Sequence, residues 1–141
     1  MYLLDTNIIS EIRKIPLGKA NASVEHWTMT KAPEDWFLSS IVLLELRQGA
    51  LRSRHNGDIT KANTLDKWID EYVIKEFAGR ILPVTEEVAL ACSPLHVPNQ
   101  RDKHDALIGA TALVHDLILV TDNTKHFKGI DNLRILNPFE R

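Results

Sequence analysis

Short apolar runs alternate with longer stretches in which apolar residues recur every three or four positions, and this alternation limits the possible folds more than any other feature of the chain. The runs are Tyr2-Leu3-Leu4, Trp36-Phe37-Leu38-Ser39-Ser40, Ile81-Leu82-Pro83-Val84, Leu117-Ile118-Leu119-Val120-Thr121 and Leu133 to Leu136, which ends at Asn137-Pro138. Runs this short, with few polar residues, suit strands buried on both faces. Helical spacing lies between them: Ile8, Ile9 and Ile12 up to Pro16 and Gly18, Val24 and Trp27 after Asn21, Ile41 to about Arg54, about Ile59 to Phe77, Glu86 to Ala91, and about Asp102 to His115. Ser39 or Ser40 is placed to cap the third of these, and Thr85 with Glu86 and Glu87 suits a helix amino end. The two middle helices, broken at Asn56-Gly57, are expected to pair as a hairpin. The class implied is α/β, a central mainly parallel sheet covered on both faces.

With 141 residues and no repeat, linker or low-complexity tract, one domain spanning 1–141 is expected. Seventeen Lys and Arg against 19 Asp and Glu leave a net charge of −2, so any nucleic-acid site must be local rather than a general basic field. The single Cys92 cannot form an intrachain bridge and suits a reducing compartment, which points to the cytoplasm. The start, MYLLDTNIISEIRK, reads as a first strand rather than a secretory signal, and no apolar run approaches the roughly 18 residues of a membrane span.

Three carboxylates need explaining. Asp5 follows the first strand directly, at the sheet end where open α/β sheets build their sites, and also suits a helix cap. Glu45 lies within Ile41-Val42-Leu43-Leu44-Glu45-Leu46, where a charge needs a cation or a route to water. Asp105 stands in the first turns of a later helix, where an acid also favours the helix dipole. Together they can converge at one sheet edge, and gathered carboxylates repel unless a divalent cation neutralises them. Oxygen-only ligands suit Mg²⁺, with Mn²⁺ possible, whereas the six histidines show no paired zinc spacing.

Five segments resemble, in order and from end to end, the PIN-domain nucleases of the VapC/FitB type, toxins of prokaryotic toxin–antitoxin systems. They are Leu3-Leu4-Asp5-Thr6-Asn7-Ile8-Ile9-Ser10-Glu11, Leu38 to Gly49, Phe77-Ala78-Gly79-Arg80-Ile81-Leu82-Pro83, Asp105 to Ala112, and Leu136-Asn137-Pro138-Phe139. The resemblance implies a three-layer α/β/α sandwich and assigns Asp5, Glu45 and Asp105 as the acidic triad that binds Mg²⁺. A fourth acid often follows the strand matching Leu117–Thr121; here Asn123 stands at that position with Asp122 before it, so both are secondary candidates. Thr6, Asn7 and Ser10 resemble the polar shell around the first Asp, and helix capping explains them too. Arg47 is a candidate phosphate contact, with Arg52, Arg54 and Lys14 as further local cations.

The implied reaction is hydrolysis of RNA phosphodiester bonds without a covalent intermediate; no GxSxG or papain-like context exists. The resemblance also implies a homodimer and a cognate antitoxin that occludes the site and contacts operator DNA, with no membrane. Trp27, Trp68 and Tyr72 are candidates for the antitoxin groove or for the core. The alternative is a PIN-like regulator that binds RNA or protein without cutting. A haloacid-dehalogenase-like phosphatase also places Asp after its first strand but needs DxD, and position 7 is Asn.

Overall fold

The computed structural model of the chain describes residues 1–140. β1 (Tyr2–Leu4) buries Leu3 and Leu4 completely and stops at Asp5, whose carboxylate caps α1 (Thr6–Arg13) by accepting the Thr6 amide. Ile8, Ile9 and Ile12 form the buried face of α1. A 3-10 turn (Ile15–Leu17) closes at Gly18, whose φ of 69° an L side chain rarely adopts. α2 (Ala22–Met29) is capped by Asn21, which accepts the amides of Ser23 and Val24. Next comes β2 (Trp36–Ser39), and Ser39 caps α3 (Ser40–His55) through the Ile41 amide.

α4 (Ile59–Trp68) packs on α3 as the expected hairpin partner. The sequence pattern reads as one helix to Phe77, but the chain passes through a π turn at Ile69–Val73 before the short α5 (Ile74–Glu76). β3 is only Ile81–Leu82, because Pro83 has no amide hydrogen to continue a ladder. α6 (Glu86–Cys92) is capped by Thr85 and α7 (Lys103–Val114) by Asp102. The chain then forms β4 (Ile118–Val120), a 3-10 turn (Thr124–Phe127) and β5, which is trimmed to Ile135–Leu136.

All neighbouring strands pair in parallel, in the order β3-β2-β1-β4-β5. The chain steps outward from β1 through β2 to β3, then returns to the other side of β1 for β4 and β5. With right-handed crossovers, that reversal sends the helices after β1 and β2 to one face and those after β3 to the other. One apolar core, with Leu38, Ile108, Leu119 and Phe127 fully buried or nearly so, fills the space between sheet and helices. Trp27 is part of that core and stacks on Trp36.

The Phe77-to-Pro83 segment is structural. Phe77 is buried and Gly79 has a φ of 81°. The Arg80 guanidinium donates to the carbonyls of Pro33, Trp36 and Glu76, tying the start of β2 to the end of α5.

Candidate active site

The reversal in strand order falls at β1, where open α/β sheets place their sites beyond the carboxyl ends of the strands. Asp5 stands there, its amide donating to the Val120 carbonyl of β4 at 2.9 Å. The residue is only 3% exposed. Oδ1 accepts the Thr6 amide at 2.8 Å and Oδ2 accepts the Thr121 hydroxyl at 2.7 Å. Burial pushes its pKa from 3.8 to about 6; the bonds from Thr121 and Thr6 pull it down, and the charges of Asp105 and Glu45 push it further up. The three acids therefore share one electrostatic neighbourhood, although positions 5, 45 and 105 lie far apart in sequence.

Glu45, from α3, is partly buried, and its Oε1 accepts the Thr6 hydroxyl at 2.7 Å. Thr6 thus links Asp5 and Glu45, donating its amide to one and its hydroxyl to the other. The Nδ1 of His104 lies 3.6 Å from the second Glu45 oxygen. Asp105, in the first turn of α7, does not cap its helix. Asp102 does, accepting the Asp105 amide at 3.0 Å. The Asp105 carboxylate instead meets Nδ1 of His126 at 2.7 Å.

Asn7 donates its side-chain amide to Asp122 at 2.9 Å, which joins the start of α1 to the residues just past β4. Of the two candidates for the fourth position, Asp122 is therefore held beside Asn7, and Asn123 lends its backbone amide to the Thr121 hydroxyl at 3.0 Å. Ser10, a turn further along α1, makes no hydrogen bond to the three acids.

The structure does not bring Arg47 to the cluster. Its guanidinium pairs with Asp66 at 2.7 Å and Asp70 at 2.5 Å, bracing α3 against α4 and the π turn that follows it. Residues two apart on a helix face different sides, so proximity to Glu45 in sequence is not proximity in space. Arg54 is likewise held by Asp66 and Asn63, and Lys14 by Glu11. Thr121 and His126 were not among the residues the sequence pointed to. A strand-terminal Thr is commonplace, and His126 meets Asp105 only through the fold.

The family model of the PIN domain matches residues 2–133. The chain belongs to the PIN-domain family. Within it the chain is of the VapC/FitB toxin type: it is 36% identical to Toxin FitB of Neisseria gonorrhoeae over 99% of both chains. It is 30% identical to VapC ribonuclease Y4jK of Sinorhizobium fredii, again over 99% of both. The crystal structure of FitAcB from Neisseria gonorrhoeae superposes with a TM-score of 0.81 at 32% identity, covering 100% of each chain. FitAB bound to an IR36 DNA fragment gives 0.83 at 31% identity, covering 100% of this chain and 97% of the other.

Proposed function

We propose that this PIN-domain protein is a metal-dependent endoribonuclease, the toxin of a type II toxin–antitoxin module, which hydrolyses RNA phosphodiester bonds at the Asp5, Glu45 and Asp105 cluster. The observation that carries this reading is Asp5: a buried carboxylate at the sheet's switch point, its pKa near 6 and raised in part by two other carboxylates. Such a cluster opposes its own ionisation, and a divalent cation relieves that opposition.

The donors are carboxylate oxygens, which suit Mg²⁺ first and Mn²⁺ second. Among the described residues no three His, Cys, Asp or Glu side chains are gathered closely enough to close a cage around an ion. The chemistry of the donors fits Mg²⁺, which keeps several of its own waters and needs no closed cage of protein ligands. Asp5, Glu45 and Asp105 would hold it, with Asp122 or Asn123 as a fourth contributor. Bound there, the ion would supply Lewis-acid polarisation of the scissile phosphate and ease deprotonation of the attacking water. Thr121 and Thr6 fix the plane of the Asp5 carboxylate, and the Thr6 hydroxyl holds Glu45 beside it.

By likeness to the FitAB assembly bound to a DNA fragment, the partner is an antitoxin that contacts DNA; the homodimer follows from the family resemblance, and the cytoplasmic setting from the lone thiol of Cys92. Trp68 and Tyr72, candidates for the antitoxin groove, line an apolar hollow of about 440 Å³ together with Ile12, Ile15 and Met29. No helix among the described residues is long and apolar enough to cross a membrane.

The test is cleavage of total cellular RNA by purified, antitoxin-free chain with Mg²⁺ or with chelator, beside Asp5→Asn, Glu45→Gln and Asp105→Asn. Cleavage that needs the ion and is lost in all three variants supports the reading. Equal cleavage by all four proteins sinks the site assignment, and no cleavage by any favours a PIN-like binding regulator.

A further inference from the structure

An unbroken series of hydrogen bonds joins Asp5 to Asp105 through the residues that follow β4. Oδ2 of Asp5 accepts the Thr121 hydroxyl, and that hydroxyl oxygen accepts the Asn123 amide at 3.0 Å. The Asn123 carbonyl accepts the His126 amide at 3.0 Å, and His126 Nδ1 reaches Oδ2 of Asp105 at 2.7 Å. The carboxylate accepts in this contact, so Nδ1 carries the proton.

The His126 side chain is 55% exposed, and an exposed imidazole on a loose loop would sample several rotamers. Its backbone, however, is fixed from two sides. Phe127 is 1% exposed and packs its ring over Gly109, one turn along α7 from Asp105. Arg101 donates to the carbonyls of His126 at 3.2 Å and Lys128 at 3.0 Å, while its Nε holds the Leu95 carbonyl. The helix that carries Asp105 and the turn that carries its imidazole partner are thus locked together.

We infer that His126 is a positioning residue for Asp105, its Nδ1–H holding Oδ2 and so fixing the orientation of a carboxylate that would hold the cation, and that the Thr121–Phe127 stretch orients two of the three acids as one unit. This rests on the metal-dependent reading above. Hydrogen bonds to ligating carboxylates set their orientation, and losing such a partner typically weakens metal binding about 10- to 100-fold. The imidazole acts through Asp105 and not on the substrate, so it is neither general acid nor general base.

The test is calorimetric titration of the purified chain with Mn²⁺ and with Mg²⁺, together with the melting temperature of the metal-free protein, for wild type, His126→Ala and His126→Asn. The Asn side-chain N–H stands where the imidazole Nδ1–H does, so it restores the donor without the ring. The expected result is Mn²⁺ affinity about tenfold weaker in His126→Ala, restored to within a few-fold by His126→Asn, with all three metal-free melting temperatures alike. Unchanged affinity in His126→Ala, or equal loss in both variants, overturns the positioning role. Absence of Mn²⁺ and Mg²⁺ binding by the wild type overturns the metal reading itself, which separates the two failures.

Discussion

The hydroxyl of Thr121 donates to Oδ2 of Asp5 across 2.7 Å while accepting the amide of Asn123, so one fully buried side chain serves both the central carboxylate and the loop leaving β4. Thr121→Val keeps the shape and removes both bonds. Leaving buried polar groups without partners costs on the order of 1–3 kcal/mol. The Thr121 bond also lowers the Asp5 pKa, so its loss moves that pKa further above 6. The expected outcome is lower stability by urea denaturation and weaker Mg²⁺ binding at neutral pH, with Thr121→Ser closer to wild type. A Thr121→Val protein matching wild type in both measurements contradicts the role given to the hydroxyl.

Asp5 makes the metal-free protein less stable as pH rises. Its folded pKa of about 6 exceeds the ordinary 3.8, so between those values the folded state binds more protons than the unfolded one. The contribution is complete below 3.8 and is lost as pH climbs through about 6, a difference on the order of 3 kcal/mol. Asp5→Asn retains an acceptor for the Thr6 amide and cannot ionise. Urea midpoints measured from pH 4.5 to 7.5 should therefore fall more steeply for wild type than for Asp5→Asn, and added Mg²⁺ at pH 7.5 should restore wild type alone. Parallel curves for the two proteins would falsify the pKa assignment.

The layered fold was legible because short apolar runs and 3–4 spacing report burial directly, and Asp5 was legible because a strand visibly ends at it. Glu45 stood out as a charge among aliphatics. Asp105 was ambiguous, since Asp102 and Asp105 both suit a helix start, and only the structure assigns the cap to Asp102. Thr121 and His126 gave no local signal: their partners are 116 and 21 residues away, and no periodicity encodes such contacts. The π turn at Ile69–Val73 has no Gly or Pro to announce it in the sequence. The partners of Arg47 were equally silent, because its pairing with Asp66 and Asp70 depends on how the helices are arranged in space.

That geometry makes Arg47 a discriminating control for the phosphate contact the sequence suggested. The pair with Asp70 is exposed and the pair with Asp66 is partly exposed, and ion pairs this open to water contribute little to stability. Arg47→Ala is expected to lower the melting temperature slightly, more so at low salt than at high salt, and to leave RNA cleavage and Mn²⁺ affinity unchanged. A large loss of cleavage at unchanged stability would return Arg47 to the substrate-binding surface.

Gly109 tests whether α7 and the turn carrying His126 are mechanically joined. A Cβ at this position would lie 3.5 Å from Cδ1 of Phe127 and 3.7 Å from Cδ1 of Ile130, ordinary van der Waals distances. Gly109→Ala therefore fits, and replacing a mid-helix glycine stabilises by about 0.5–1 kcal/mol. A larger side chain does not fit without displacing Phe127. Gly109→Leu should cost about 1–3 kcal/mol through overpacking and should also weaken Mn²⁺ binding, because moving Phe127 moves its neighbour His126 away from Asp105. Calorimetry on both variants separates the effects: Ala gains stability at constant affinity, whereas Leu loses both. Full Mn²⁺ affinity in a destabilised Gly109→Leu protein would show that Asp105 keeps its orientation without the packed turn.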